Sequence, residues 1–396
     1  MVVIADDITG AAEIAGIAFE AGQQVRLLCA GISAATSVGG DSVATTPTAA
    51  TIVIATDTRS MTEGEAVDET HRIVSSLLTP TAHSELSTPL IYKKTDSALR
   101  GHVIAELSAL KEAMGYKRVV YCPANPSKGR IIKGGNYYIG KVPIDRTDFS
   151  FDPEFPATTS ALKKRFPEAP SEGIIMPDAE SMDDLFCIIR LYDDGRTLFA
   201  GAADLFRTLL DYSRVAIANE ATRESGKTDT SDSGKTLFPD NGKSVTTSEG
   251  KYLILCGSTQ SKPLDIGIPV APMPLDIYNG GNDLTTWNTA AYSEQHSLIL
   301  TIPYTHRTGK EVATHLRSVM ARKARQLVSE QRPDHLIIEG GATAWGTLHA
   351  LGWTEFEIVG QVAPGVVQMR SVTSGVLVTL KPGSYPWGGL FEQIVE

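Results

Sequence analysis

Cysteine is scarce in this chain, with only Cys29, Cys122, Cys187 and Cys256 among 396 residues. They lie far apart and show no paired metal spacing, which argues against a zinc site or a disulfide framework. Three of them end or lie within apolar runs, so buried, reduced thiols are expected. Positive charge is also in short supply: 36 Lys and Arg against 46 Asp and Glu leave a formal net charge of −10. That balance argues against nucleic acid or an anionic membrane surface as a partner. No stretch reaches the ~18 consecutive apolar residues of a membrane helix. Residues 1–30 begin on a strand-like run, with neither a basic n-region nor a long apolar h-region. A cytoplasmic protein is the expectation.

What is present is ordinary for a globular chain that buries a full core: 42% hydrophobic and 21% charged residues. The length suggests two domains. Strand and helix signals alternate in the first half. Val2–Ala5, Val25–Cys29, Thr51–Ala55, Leu90–Lys93 and Val119–Cys122 read as short buried strands, and Ala11–Ala21, Glu63–Leu78 and Val103–Met114 as crossing helices. This alternation favours a parallel, doubly wound sheet. Gly134-Gly135 between two β-rich runs then signals a hairpin. Helix signals return at Asp183–Tyr192 and Ala203–Tyr212.

Thr222–Gly250 is almost free of large apolar residues and reads as a polar linker. A second α/β unit follows, with strands expected at Tyr252–Cys256, Leu298–Ile302, His335–Ile338, Phe356–Val359 and Val376–Leu380, and its longest helix at Lys310–Glu330. The expected architecture is therefore two α/β lobes, residues 1–221 and 251–396, joined by residues 222–250. Each lobe would carry a mostly parallel sheet flanked by helices, with the active site in the cleft between them.

Two loops carry the chemistry of the first lobe. ADDITG (Ala5–Gly10) and KKTDSALRG (Lys93–Gly101) each follow a short apolar strand and open a helical pattern. That puts their side chains at the carboxyl ends of parallel strands, where open α/β sheets bind ligands. Asp7 and Thr9 also read as ordinary helix caps. The second loop, with four charged side chains in eight residues, is harder to explain that way. Asp6 and Asp7 facing Lys94, Asp96, Ser97 and Arg100 would suit a small polyhydroxylated anion.

In the second lobe, CGST (Cys256–Thr259) and GGATA (Gly340–Ala344) follow strands, and the glycine pair opens a helix whose free amides could hold phosphate. The loops at Ala363 and Leu380 add two further glycine-bearing turns. ATRESGKT (Ala221–Thr228) fits a relaxed P-loop pattern, but Glu224 would sit inside the cradle and no helix signal follows. A repeated GKT in a polar linker explains it.

In order, IADDITGAAEIAG, TDTRS, KKTDSALRG, PANPSKGR, GKVPIDRTDF, CGST, GGATA, VAPGV and LKPGSY resemble the motifs of the four-carbon acid sugar kinase family. The match runs from residue 3 to about residue 385 and is weakest across the linker and residues 260–297. The resemblance implies an ATP-dependent kinase acting on the terminal hydroxyl of a threonate- or erythronate-type acid. Sugar acid would bind the N-terminal lobe and ATP, with Mg²⁺, the C-terminal lobe. The implied substrate residues are Asp6, Asp7, Arg59, Lys94, Thr95, Asp96, Ser97 and Arg100, with Asp96 or Asp7 as the base. Arg59 and Lys94 would neutralise the substrate carboxylate. The implied nucleotide residues are Ser258, Gly340, Gly341, Ala342, Thr343 and Gly383. No protein ligand for Mg²⁺ is assigned, and a homo-oligomer stays open. Two departures stand out: Cys256 replaces the family's usual Ser, and four prolines follow Ser258 where a helix is expected. They motivate an alternative, a non-catalytic sugar-acid-binding protein with a degenerate nucleotide lobe.

Overall fold

A computed structural model describes residues 1–30, 51–78, 90–152, 154–225, 250–258, 264–303, 309–383 and 385–392, with backbone alone for 216–225. The first strands are β1 (Val2–Ala5), β2 (Val25–Cys29), β3 (Thr51–Ala55), β4 (Ile91–Lys94) and β5 (Arg118–Cys122). A small antiparallel sheet follows, β6 (Arg130–Lys133), β7 (Asn136–Ile139) and β8 (Val142–Pro143), then β9 (Ile174–Ile175) and β10 (Thr197–Gly201). Its first turn is made by Gly134 and Gly135 at φ of 57° and 71°, a left-handed pair that glycine adopts without strain. The later strands are β11 (Tyr252–Cys256), β12 (Val270–Pro272), β13 (Leu298–Thr301), β14 (His335–Glu339), β15 (Glu355–Ala363), β16 (Val366–Ser371) and β17 (Leu377–Lys381).

Each half holds the mostly parallel sheet that the sequence implies. The first half orders its strands β2-β3-β1-β4-β10-β5-β9, all parallel, and the second runs β12-β13-β11-β14-β17, also parallel. The two halves are not separate sheets, however. Antiparallel β16 and β15 extend the second half until β15 pairs with β2, giving one 14-stranded sheet. The seam is short: Glu355, Phe356 and Glu357 register with Leu28, Leu27 and Arg26, reinforced by an Arg26–Glu355 ion pair at 2.9 Å.

The main helices are α1 (Ile8–Glu20), α2 (Glu63–Leu78), α3 (Val103–Met114), α4 (Met182–Tyr192), α5 (Ala203–Ser225), α6 (Lys310–Glu330) and α7 (Gly341–Leu351). Because α5 continues through Ser225, the first five residues of ATRESGKT are helical and follow no strand, as a P-loop would require. The two GKT triplets themselves lie outside the described residues. α1 packs across the seam, touching β2 and β3 as well as β15 and β16. It comes that close through Gly16, where a Cβ would overlap the side chains of Gln361 and Val367. The strands are buried almost throughout, and each fully buried Ile, Leu or Val adds about 1.5–3 kcal/mol of burial free energy. Cys29, Cys122 and Cys256 are free and buried, with burial as the main cause of thiol pKa values pushed up to about 12; Cys187 is free but exposed. Among the described residues no helix is long and apolar enough to cross a membrane.

Candidate active site between the two halves

In the first half the strand order reverses at β1, with β3 on one side and β4 on the other, so a crevice opens at their carboxyl ends. Asp6 and Asp7 leave β1 there, and Thr95 to Arg100 leave β4. Asp7 does cap α1: its Oδ1 accepts from the Gly10 amide at 2.8 Å and its Oδ2 from the Thr9 hydroxyl at 2.6 Å. It also faces Arg59, which sits in a short turn entered by Asp57 at a φ of 55°.

Arg59 is the hub of this crevice. Its Nε and Nη2 donate to Asp6 Oδ2 at 3.0 and 2.9 Å, and Nη2 lies 3.2 Å from Asp7 Oδ1 and 3.5 Å from Asp96 Oδ1. Burial pushes the Asp6 pKa up, and Arg59 offsets this only in part, so the net shift is upward. The Oδ1 of Asp6 is buried and has no hydrogen-bond partner among the described residues. Burial also pushes Asp7 up, but Arg59, Lys94 and the two capping bonds outweigh it and hold the carboxyl below its ordinary value. Asp96 is also held below its ordinary value: burial is overcome by Arg59 and by Arg100, whose Nε and Nη2 each lie 2.9 Å from a different carboxylate oxygen.

The other residues of the β4 loop lie deeper. Lys94 is buried, donating to the Thr95 carbonyl at 3.0 Å and standing 3.7 Å from Glu13. Thr95 is buried, its amide held by the Gly201 carbonyl at 2.9 Å. Ser97 turns to the small sheet, where its hydroxyl accepts from the Arg130 guanidinium and its carbonyl from the Tyr137 hydroxyl at 2.6 Å.

The second half reverses its strand order at β11, between β13 and β14. Three loops meet there: Gly257-Ser258 after β11, Gly340 to Thr343 after β14, and Pro382-Gly383 after β17. Glycine is what lets them touch. A Cβ on Gly257 would overlap the Thr343 side chain, and one on Gly383 would overlap Ser258. Gly340, at a φ of 94°, turns the chain into α7, whose first amides point out of the helix end. Beneath the loops lies a buried ion pair, Lys381 Nζ to Glu339 Oε1 at 2.5 Å. Lys381 also donates to the carbonyls of Pro382, Gly383 and Tyr385 at 2.9, 3.2 and 2.6 Å, which fixes the course of the last loop. Among the described residues no helix follows β11 before Leu275, in line with the proline run.

The two crevices face each other. A Cβ built on Gly341 would lie 3.5 Å from Asp7 Oδ2 and 3.2 Å from Thr9 Cγ2. Asp7, Arg59 and Arg100 from one side, and Ser258, Gly340 to Thr343 and Gly383 from the other, line a common cleft of about 620 Å³. Asp6, Lys94, Thr95 and Asp96 are buried behind it. Further charged groups line the cleft. Asp57 pairs with Arg317 of α6 at 3.2 Å, and Lys310 lies 3.6 Å from Glu154. Nearby, Lys128 bridges Glu13 at 2.5 Å and the Tyr385 hydroxyl, tying α1 to the last loop. Asp57, Lys128 and Tyr385 lie within quoted motifs, so motif membership was the available signal; Arg317, inside a long helix, offered none.

Two family models match separate parts of the chain. A model of a sugar-binding N-terminal domain matches residues 1–170, and one of a nucleotide-binding C-terminal domain matches residues 283–385. The chain is 29% identical over 238 residues to a D-threonate kinase of Salmonella typhimurium, covering 53% of each protein. It is 31% identical over 165 residues to a D-threonate kinase of Bordetella bronchiseptica, covering 37% of that protein. The chain thus spans about half the length or less of these two relatives. With a 3-oxo-tetronate kinase of Haemophilus influenzae it is 24% identical over 432 residues, covering 98% of both. A solved structure of a Haemophilus influenzae DUF1537 protein has the same fold, with a TM-score of 0.64 at 20% identity over 100% of this chain and 99% of that one. These matches define a class of two-domain proteins that pair a sugar-binding half with a nucleotide-binding half. The relatives that the chain resembles carry the names of kinases acting on four-carbon acids: D-threonate, 3-oxo-tetronate and D-erythronate kinase.

Proposed function

We propose that the protein is an ATP-dependent kinase that phosphorylates the terminal hydroxyl of a four-carbon sugar acid of the threonate or erythronate type. The observation that carries this reading is the approach of Gly341 to Asp7, which sets a glycine-built phosphate floor against a carboxylate-bearing crevice in one cleft. Residues 1–221 form the acid-binding domain, residues 251–396 the nucleotide-binding domain, and residues 222–250 the connection. The loops at Ser258, Gly340 to Thr343 and Gly383 hold the phosphates through backbone amides and hydroxyls. Arg317 and Lys310, which line the same cleft, supply the charge neutralisation that phosphoryl transfer demands.

Both Asp96 and Asp7 are candidates for the base, and the geometry favours Asp7. The oxygens of both carboxylates accept from neighbouring donors, so access decides: Asp96, held by Arg100, is buried behind the cleft. Asp7 lines the cleft and faces the nucleotide loop. Arg59, itself held by Asp6, then fixes Asp7. Mg²⁺ binds with one or two carboxylates plus substrate phosphates, and Asp57 is a carboxylate of the cleft wall, separate from the base Asp7, that would fit this need. In that position the ion would neutralise the transferred phosphoryl group. The intact glycine packing of the three loops speaks against the alternative of a degenerate nucleotide lobe.

An ADP-release assay over D- and L-threonate, D- and L-erythronate and 3-oxo-tetronate tests the reading. At least one acid is expected to drive ATP-dependent turnover. Asp7→Asn should lower kcat by about 10²- to 10⁴-fold, the usual contribution of a general base. Asp96→Asn should act mainly on KM for the acid, by releasing Arg59 and Arg100. Absence of turnover with every acid would discard the kinase reading. A larger kcat loss in Asp96→Asn than in Asp7→Asn would move the base to Asp96.

A further inference from the structure

We propose that Arg130 receives the substrate carboxylate, an assignment that rests on the sugar-acid reading above and names the residue that recognises the acid. The argument is one of charge neutralisation. Arg59, expected from the sequence to serve this purpose, is already engaged by Asp6, Asp7 and Asp96. Arg100 is engaged by Asp96 and stands 3.6 Å from Asp152. Lys94 faces Glu13, and Lys128 faces Glu13 as well. An incoming carboxylate would have to compete with a carboxylate of the protein at each of these cations.

Arg130 differs. Among the described residues its side chain has no carboxylate partner; it donates to the Ser97 hydroxyl and lies with its guanidinium carbon 5.6 Å from the centre of the Phe149 ring. The same ring has the Arg100 guanidinium carbon 5.8 Å from its centre, and Arg100 lines the cleft. Phe149 therefore lies against two guanidiniums, that of Arg100 on the cleft wall and that of Arg130, which reaches the β4 loop through Ser97 and meets no carboxylate among the described residues. A guanidinium presents a rigid fork of donors that matches a carboxylate in two parallel hydrogen bonds. Only part of that fork is taken by Ser97.

The backbone behind Arg130 is fixed. Its amide donates to the Asn125 carbonyl at 3.1 Å and its carbonyl accepts from the Asn125 amide at 2.7 Å. Asn125 is buried, and its side-chain oxygen accepts from the Asp204 amide at 3.0 Å. The guanidinium is thus carried on a braced loop, which limits the ordering cost of binding.

Calorimetry without nucleotide, paired with steady-state kinetics, tests the assignment on D-threonate and on threitol, the polyol in which a hydroxymethyl group replaces the carboxylate. The wild-type protein should prefer the acid. Arg130→Met should weaken D-threonate binding by about 10- to 100-fold, the range for a charge-assisted hydrogen bond. KM for ATP and any response to threitol should stay as in the wild type. Arg130→Gln keeps a donor for Ser97 but loses the charge, so it should resemble Arg130→Met, whereas Arg130→Lys should recover part of the affinity. Circular dichroism confirms the fold of each variant. Near-wild-type affinity in Arg130→Gln would reduce the residue to a structural tie and overturn the inference. So would an equal rise in KM for acid and ATP in Arg130→Met. If the wild type neither binds nor phosphorylates any four-carbon acid, the kinase reading itself fails, and this assignment with it.

Discussion

Arg317 Nη1 lies 3.2 Å from Asp57 Oδ2, so a guanidinium from the second half of the chain meets a carboxylate from the first inside the cleft. Asp57 has a left-handed backbone with a φ of 55° and also accepts from the Ser60 hydroxyl at 2.6 Å. Burial raises its pKa, and Ser60 and Arg317 pull it back only in part. An aspartate whose folded value is raised adds stability below its unfolded pKa and loses it as pH rises through the folded one. At neutral pH the charged Asp57 therefore depends on Arg317.

That dependence is measurable. A double-mutant cycle on Asp57→Asn and Arg317→Met, followed by urea unfolding at pH 7.5 (about neutral), should give a coupling of about 1 kcal/mol, within the range for residues in contact. Arg317→Met alone should be the more harmful single change, because it leaves Asp57 charged and unpaired, while Asp57→Asn should be nearly neutral. A coupling near zero would mean that the two sides do not meet at this pair in solution.

The Lys381–Glu339 pair makes a different prediction, because both side chains are buried. Removing one partner of a buried pair leaves the other charge uncompensated, typically at about 3–5 kcal/mol. Lys381→Met should show a loss of that order in urea unfolding and should raise KM for ATP, since three loop carbonyls lose their donor. Adding Glu339→Gln should recover part of the stability but not the nucleotide affinity. Equal recovery of both would show that the pair serves stability alone.

His335 supplies a pH dependence. It is buried on β14, with Nε2 2.7 Å from the Thr379 hydroxyl, and burial pushes its pKa down to about 3. The folded protein keeps the ring neutral while the unfolded chain protonates it below its ordinary value. Its stabilising contribution is complete above the unfolded value of about 6.5 and is lost as pH falls toward about 3. The slope approaches about 1.4 kcal/mol per pH unit within that window. The thermal midpoint of the wild type should therefore fall faster between pH 6 and pH 5 (roughly the upper part of the window) than that of His335→Gln. Parallel curves would show that the ring is accessible to protons in the folded state.

Much of this was legible in the sequence because buried parallel strands are written as short apolar runs. Val2–Ala5, Val25–Cys29, Thr51–Ala55 and Tyr252–Cys256 fall where the runs do, and α2, α3 and α6 match their periodic patterns end to end. Thr197–Gly201, which lies between β4 and β5, is not legible as a strand. Its TLFAG carries small residues that score weakly as strand and is followed at once by a helix. The joining of the halves through β15 was not legible either. Partners such as Glu355 and Leu28 are set by chain geometry across hundreds of residues, and no local pattern encodes that pairing. The site was legible as loops but not as a charge network. Asp6, Asp7, Arg59 and Asp96 could be nominated from strand ends, but which cation was already neutralised required the folded chain.

The short seam between β2 and β15 has a consequence for how the molecule can be taken apart. Cutting the chain between residues 225 and 250 would not release two finished modules. Each fragment would carry a raw strand flank, with amides and carbonyls shaped to fit the other. Such fragments should seek one another out by strand addition, as a peptide docks on an open sheet. The halves are thus bound to a shared inheritance: neither can be exchanged for a foreign counterpart unless the newcomer also brings the matching strand.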